Sequence, residues 1–147
     1  MQIKDYISND ENSLELTLKL MKQFEAEAVN DKSFRQFVLK TFKPGANLFK
    51  SIWEYMRNNF AYKEDIPDEL IIYPMRLLEL KYGDCDDFAL FTKSILDVLN
   101  YNSDFILLSK NQKDFTHIAV MTKGNIIDAT NSMFNKMPVG YNNLRFV

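Results

Sequence analysis

Apolar side chains recur every three or four positions along the first sixty residues of the chain, which is the period of an amphipathic α-helix. Three such stripes follow one another, and Pro44-Gly45 separates the second from the third. The first part of the chain is therefore predicted to be helical. The stripes consist of Leu14, Leu18, Met21, Phe24 and Ala28, then Phe34, Phe37, Val38 and Thr41, then Phe49, Trp53, Met56 and Phe60.

The pattern changes at residue 84, where apolar residues cover nearly every side of a predicted helix over 84–99. Helices of that kind are usually central and buried. A short helix at 75–80 precedes it, and strand-like runs follow at 105–109, 115–122 and 125–130. Helices first and strands afterwards indicate an α+β fold with an antiparallel sheet. Any further strand must come from the tail, 137–147.

Composition narrows the function classes. The chain has 147 residues, 46% of them hydrophobic, with only four glycines and four prolines, so one globular domain is expected. A net charge of −2 without a basic cluster gives no reason to expect nucleic acid. The longest apolar runs fall far short of the roughly 18 residues that span a membrane. One cysteine and no signal-peptide pattern predict a cytoplasmic protein without an internal disulfide.

The run Gly83-Asp84-Cys85-Asp86-Asp87 is the most informative segment for chemistry. The glycine is expected to let the chain turn sharply, and the only cysteine then falls in the first turn of the buried helix. There the helix dipole and free N–H groups favour a thiolate, and the same N–H groups are candidates for an oxyanion hole. The three aspartates oppose this effect, because their charges raise the thiol pKa, although Asp86 or Asp87 also suits a capping role.

The only histidine, His117, and then Asp128 follow Cys85 along the chain, on the second and third predicted strands. A thiolate nucleophile needs a base within hydrogen-bond reach, and the base gains from a third group that orients it. Cys85, His117 and Asp128 are therefore the candidate reacting residues.

The hairpin that joins these two strands tests the triad. If Lys123-Gly124 form a two-residue loop, His117 faces Thr130, and Asp128 lies diagonally on the same face of the sheet, about 7–8 Å away at the backbone. A loop shifted by one residue moves Asp128 out of reach, and a three-residue loop turns it to the other face. The triad therefore predicts one register, with Thr130 opposite His117.

Three features of the chain resemble the transglutaminase-like (papain-fold) superfamily, in particular its cysteine protease group from bacteriophages and their bacterial hosts. They are the run Gly83-Asp84-Cys85-Asp86-Asp87-Phe88-Ala89, a histidine opening a strand, and the later Ile127-Asp128-Ala129-Thr130. The upstream segments Tyr62-Lys63-Glu64-Asp65 and Tyr73-Pro74 are similar to that group as well. The resemblance covers roughly residues 46–130 of the chain.

The resemblance implies a papain-like core, in which a central helix starting at Cys85 packs on a small antiparallel sheet. It implies Cys85 as nucleophile, His117 as general base and Asp128 as orienting acid. No metal and no cofactor are expected. Residues 1–45 are expected to form an N-terminal helical extension and residues 46–147 the transglutaminase-like core, within one compact domain. A phage-encoded or virion-associated protein is a further expectation from the resemblance.

The predicted function is cysteine-dependent acyl transfer on a protein or peptide substrate. The acceptor is either water, as in a peptidase or amidase, or an amine, as in a transglutaminase-like enzyme. Hydrolysis is preferred, because transfer requires the exclusion of water and the sequence reveals no lid. Trp53 is a candidate for lining the cleft and for the second oxyanion donor.

Each of these residues also has a structural interpretation. A lone cysteine before a buried helix is usually a small, inert core residue, and a histidine between apolar neighbours is more often a core or edge residue. Zinc is poorly supported, because one cysteine and one histidine match no structural zinc spacing, and the aspartates lack the spacing of a calcium loop. The main alternative is a catalytically inactive transglutaminase-like binding or structural module.

Overall fold

The structure is a computed structural model that describes residues 11–64 and 71–147, with side chains from residue 14. These residues contain five helices and six strands. The helices are α1 (Glu11–Asn30), α2 (Lys32–Thr41), α3 (Leu48–Asn59), α4 (Pro74–Leu80) and α5 (Cys85–Val98). The strands are β1 (Ala61–Tyr62), β2 (Tyr82–Gly83), β3 (Asp104–Ser109), β4 (Phe115–Thr122), β5 (Asn125–Ile127) and β6 (Asn143–Phe146). This order confirms the predicted α+β fold. Asp65, part of an upstream segment of the resemblance, lies outside the described residues.

Local sequence signals account for the helix boundaries. Asp31 caps α2, because its carboxylate accepts the backbone N–H groups of Ser33 and Phe34 at 2.9 and 3.3 Å. Pro74 opens α4 at a position where the backbone N–H has no intrahelical partner to lose. Lys81 ends α4 in the left-handed conformation, with a φ of 62°. The helices match the segments that the apolar periodicity predicts.

Four antiparallel strands form the main sheet in the order β5-β4-β3-β6. Strand β6 pairs with β3, which confirms the tail 137–147 as the source of a further strand. The β4–β5 hairpin has the predicted register, since Thr122 pairs with Asn125 across a two-residue loop. The loop residues Lys123 and Gly124 have the positive φ values, 47° and 78°, that this tight turn requires.

The hairpin is shorter than the sequence predicted. Strand β5 ends at Ile127, whereas the prediction extended it to residue 130. The carbonyl of Asp128 accepts the backbone N–H of Asn131 at 3.1 Å, so residues 128–131 form a turn beyond the sheet. Thr130 therefore approaches His117 from this turn, with Oγ1 3.3 Å from Nε2, rather than from a paired strand.

Helix α5 is buried between the sheet and the other helices, as its apolar composition predicts. The N-terminal helices pack on it directly. Phe34 of α2 meets Phe91 edge to face at 6.0 Å between ring centroids, and Glu25 of α1 binds Lys93 at 2.8 Å. The division at residue 45 into an extension and a core stays a prediction. Neither α5 nor any other helix among the described residues is long and apolar enough to cross a membrane.

Candidate active site

The start of α5 is fixed by a buried carboxylate. Asp87, in the third position of the helix, is fully buried and accepts the backbone N–H of Asp84 at 2.9 Å through Oδ2. Its other oxygen accepts the backbone N–H of Ile72 at 2.8 Å. This reciprocal cap joins the helix to the segment before α4 and makes Cys85 the first residue of α5. The capping role expected for Asp87 is confirmed.

Gly83 is needed for close packing, not for the sharp turn that the sequence predicted. The residue is paired in β2, and its φ lies outside the positive range that favours glycine. A Cβ added there would lie 3.0 Å from Cβ and Oδ2 of Asp87, and 3.2 Å from Cδ1 of Leu77. The absent side chain therefore lets the strand approach the capping carboxylate beside Cys85.

The sulfur of Cys85 lies against strand β4. The backbone N–H of Ile118, the residue that follows His117, is near enough to the sulfur to lower the pKa of the thiol. The thiol donates to Oδ1 of Asp86 at 3.7 Å. Cys85 is partly exposed, whereas Asp86 is buried. Within the described residues, the thiol and the imidazole share no hydrogen bond. The fold thus brings Cys85 to the strand that carries His117 without joining the two side chains directly.

The surroundings of Cys85 favour the protonated thiol. Burial raises the pKa of the thiol well above its ordinary value, and the negative charges of Asp86, Asp84 and Asp128 raise it further. The N–H group of Ile118 lowers the pKa but is outweighed. Of the opposing influences expected from the sequence, the carboxylates prevail over the helix N-terminus, and desolvation adds to their effect.

His117 and Asp128 are in direct polar contact. Nε2 of His117 lies 2.7 Å from Oδ2 of Asp128. Oδ1 of Asp128 accepts the backbone N–H of Thr130 at 3.0 Å and its hydroxyl at 2.7 Å. Burial alone raises the pKa of the Asp128 carboxyl, yet the hydrogen bonds and charge of His117, together with the Thr130 donors, hold it below its ordinary value. The predicted acid therefore accompanies the predicted base, and Nδ1 of His117 makes no hydrogen bond to any described residue.

Trp53 does not fit the role of oxyanion donor for which it was a candidate. Its indole N–H donates to the carbonyl oxygens of Asp128 and Asn131 at 3.1 and 3.2 Å, and is therefore engaged. The side chain lies behind the turn that carries Asp128. A tryptophan on a helical stripe carries no sequence signal for this contact, because the partner carbonyl lies 75 residues further along the chain.

The surroundings of His117 include residues whose place near it has no signal in the sequence. The Tyr141 ring lies beside the imidazole, with centroids 5.4 Å apart, and Lys110 lies over the Tyr141 ring at 5.0 Å. On another side, Leu14 and Leu18 of α1 border a small cavity that His117 also borders. Leu14 and Leu18 carried only the signal of a helical apolar stripe, so the sequence placed them in the core. The N-terminal helix therefore forms part of the surroundings of the site.

Comparison with known proteins is consistent with this arrangement. The transglutaminase-like domain family matches residues 37–134, more than half of the chain. A solved structure, named as a "Putative Cysteine Protease from Cytophaga hutchinsonii", shares the fold with a TM-score of 0.53 and 20% sequence identity. The similarity covers 67% of this chain and 37% of that one, and no curated protein matches. The resemblance seen in the sequence is confirmed, and the chain belongs to the transglutaminase-like domain family.

Proposed function

We propose that the chain catalyses cysteine-dependent acyl transfer, with Cys85 as nucleophile, His117 as general base and Asp128 as the residue that orients the base. The observation that carries the proposal is the 2.7 Å contact between Nε2 of His117 and Oδ2 of Asp128, beside the strand that Cys85 contacts. This contact leaves Nδ1 as the ring nitrogen that can take a proton. The position of Cys85 at the start of α5 and the family membership support the same roles.

The proposed reaction starts when Nδ1 of His117 takes the proton of Cys85 and the sulfur attacks a carbonyl carbon of the substrate. As the C–S bond forms, the carbonyl oxygen gains the negative charge. The backbone N–H of Cys85 can stabilise that charge, because a first-turn N–H has no intrahelical acceptor. Collapse of the intermediate breaks the bond to the leaving amine, which takes the proton from His117. A thioester on Cys85 remains.

The second half of the reaction depends on the acceptor. If His117 deprotonates water, the hydroxide attacks the thioester, releases the acid and restores the thiol. An amine in the same place gives a new amide instead. We favour hydrolysis of a protein or peptide amide, because transfer to an amine requires the exclusion of water, and the Cys85 residue is partly exposed even though its sulfur is desolvated. An association with bacteriophages stays a prediction from the sequence resemblance.

The protonated resting thiol affects the first step. Since burial and the neighbouring carboxylates raise the pKa of Cys85, the proposed reaction starts from the thiol. His117 must then take the proton while the sulfur attacks, with the substrate already bound. Catalytic hydrogen bonds are often long in free enzymes and shorten in the substrate complex. The lack of a direct hydrogen bond between Cys85 and His117 in the free protein is therefore compatible with the proposed reaction.

A second candidate function is that of an inactive binding or structural module. The raised pKa of the Cys85 thiol favours it, as does the hydrogen bond of that thiol to Asp86 rather than to His117. In such a module Cys85 would serve as a packing residue at the start of α5. The contact between His117 and Asp128 would then only stabilise the turn after β5.

Burst kinetics with p-nitrophenyl acetate discriminate between the two functions without requiring the natural substrate. An acyl-enzyme forms quickly and hydrolyses slowly, so nitrophenol is released in a burst that matches the protein concentration. We expect Cys85→Ala to abolish the burst and His117→Ala to slow it by about 100-fold. Lys113→Ala, at an exposed position between β3 and β4, is the matched control and should leave it unchanged. Equal slow release from wild type and Cys85→Ala would favour the inactive module.

A further inference from the structure

Side chains of α3 hold the turn that carries Asp128. The indole Nε1 of Trp53 donates to the Asp128 carbonyl at 3.1 Å and to the Asn131 carbonyl at 3.2 Å. One helical turn later, Nη1 of Arg57 donates to the Ala129 carbonyl at 3.2 Å. The Arg57 guanidinium also lies over the Trp53 ring, 5.9 Å from its centroid. Together the Trp53 and Arg57 side chains form what we name the α3 clamp.

The turn depends on these donors because the sheet no longer holds it. Strand β5 ends at Ile127, so the carbonyls of residues 128–131 lie beyond the hydrogen-bond ladder with β4. Within the turn, the Asn131 N–H bonds to the Asp128 carbonyl, which it shares with Trp53. Partly buried carbonyls are costly to leave without a donor. The position of the turn therefore follows the position of α3.

The turn at residues 128–131 sets the direction of the Asp128 carboxylate. One oxygen contacts His117 at 2.7 Å, and the other is held by the N–H and hydroxyl groups of Thr130, two residues further along the same turn. All three contacts require the backbone of residues 128–130 to stay in place. A displacement of about 1 Å in a positioning contact can lower a reaction rate by on the order of 100-fold.

We propose that Trp53 and Arg57 are positioning residues that keep Asp128 in hydrogen-bond contact with His117 and so orient the imidazole. The expected effect on the reaction rate rests on the proposed function. The positioning itself concerns only the contact between His117 and Asp128 and does not depend on that function. Trp53 also packs against Phe134, with ring centroids 5.8 Å apart. If Trp53 served only in packing, its effect on His117 would depend on the contact between the Trp53 and Phe134 rings. If Trp53 and Arg57 position Asp128, the effect depends on their N–H donors.

The test uses the fact that the chain has one histidine, so ¹⁵N and proton NMR of the imidazole report on His117 alone. A ring N–H bonded to a carboxylate gives a downfield, exchange-protected proton signal. Trp53→Phe keeps a ring but removes its donor, and Arg57→Met removes the donors of an exposed residue of the clamp. The controls are Phe134→Leu, which removes the ring contact, and Lys50→Gln, an exposed change on the same helix. We expect the signal to move upfield and broaden in both clamp variants and to persist in both controls.

The same variants are then compared in the p-nitrophenyl acetate assay and by thermal unfolding. We expect the clamp double variant to slow the burst roughly tenfold, with little change in the substrate concentration for half-maximal rate. An unchanged His117 signal in both clamp variants would overturn the inference, and so would equal signal loss in the two controls. Loss of the signal in the clamp variants, combined with no burst in wild type, would support the positioning role and favour the inactive module over acyl transfer.

Discussion

The thiol of Cys85 donates to the carboxylate of Asp86 at 3.7 Å, and both residues lie in the first turn of α5. Asp86 is only 4% exposed, so water does little to screen its charge. After burial itself, this carboxylate is the first cause of the raised pKa of the thiol. The nearest carboxylate therefore keeps the proposed nucleophile protonated until a substrate and His117 act on it.

Replacing Asp86 with asparagine should make Cys85 more reactive. Removing the negative charge lowers the thiol pKa, so we expect the rate of alkylation by iodoacetamide at about pH 7 to rise roughly fivefold. The chain has one cysteine, and the measured rate therefore belongs to Cys85. The matched control is Asp104→Asn, which removes one exposed charge elsewhere. Identical pH profiles for wild type and Asp86→Asn would contradict the assignment of Asp86 as a cause.

Several elements could be predicted because their signals are local. The start of α5 follows from a capping carboxylate three residues after Asp84. The β4–β5 register follows from Lys123-Gly124, where a two-residue loop needs positive φ at both positions. That register brings Asp128 to His117, so the proposed base and the proposed acid could be paired from the sequence. Both predictions depend on neighbours within a few residues.

Other features depend on contacts between distant residues. The sequence extended β5 to residue 130, but donors from Trp53 hold the Asp128 carbonyl in a turn across a separation of 75 residues. The pKa of the Cys85 thiol also depends on distant residues. The helix N-terminus lowers it, whereas burial and three carboxylates raise it. One of them, Asp128, reaches the sulfur only through the fold. No local pattern indicates which influence dominates.

Gly83→Ala should destabilise the protein by about 1–3 kcal/mol. The new Cβ would lie 3.0 Å from Cβ and Oδ2 of Asp87 and 3.2 Å from Leu77, so the cap of α5 would have to shift. Urea unfolding measures the change in the free energy of unfolding. Gly45→Ala provides the comparison, since φ is +152° there and an added Cβ meets nothing within 4 Å, so its cost reflects backbone strain alone. A smaller loss for Gly83→Ala than for Gly45→Ala would argue against a tight contact with Asp87.

Thr130→Val should lower the free energy of unfolding more at neutral pH than at acidic pH. The Thr130 hydroxyl donates to Asp128 and helps to lower the pKa of that carboxyl. A carboxyl whose pKa is lowered by folding stabilises the folded state at pH values above its pKa in the unfolded chain, near 3.8. This contribution is lost as the pH falls through the pKa of the carboxyl in the folded chain. We expect a loss of about 1 kcal/mol at about pH 7 that shrinks towards about pH 3. Thr130→Ser should retain most of the stability, and an equal loss at both pH values would contradict the linkage to Asp128.

A second group of ionisable residues lies where α1 meets the far part of α5. Lys93 contacts Glu25 of α1 at 2.8 Å and Asp97, one helical turn further along α5, at 3.4 Å. Burial raises the pKa of Asp97 to about 7, and a hydrogen bond with Glu25 and its charge act in the same direction, although Lys93 lowers it. Asp97 therefore carries its proton more readily in the folded chain than in the unfolded chain.

Asp97→Asn should flatten the pH dependence of stability between about pH 4 and pH 7. Because the folded pKa of Asp97 is raised from 3.8 to about 7, its stabilising contribution is complete below the unfolded value and is lost as the pH rises through about 7. Asparagine cannot ionise, so the variant should exceed wild type by roughly 2 kcal/mol at about pH 8, a figure reduced for partial solvation. Urea unfolding at several pH values measures this. The control for charge removal is Asp104→Asn, a change at an exposed residue that borders the same surface cavity as Asp97. Parallel stability curves for wild type and Asp97→Asn would show that Asp97 ionises no differently in the folded and unfolded chains.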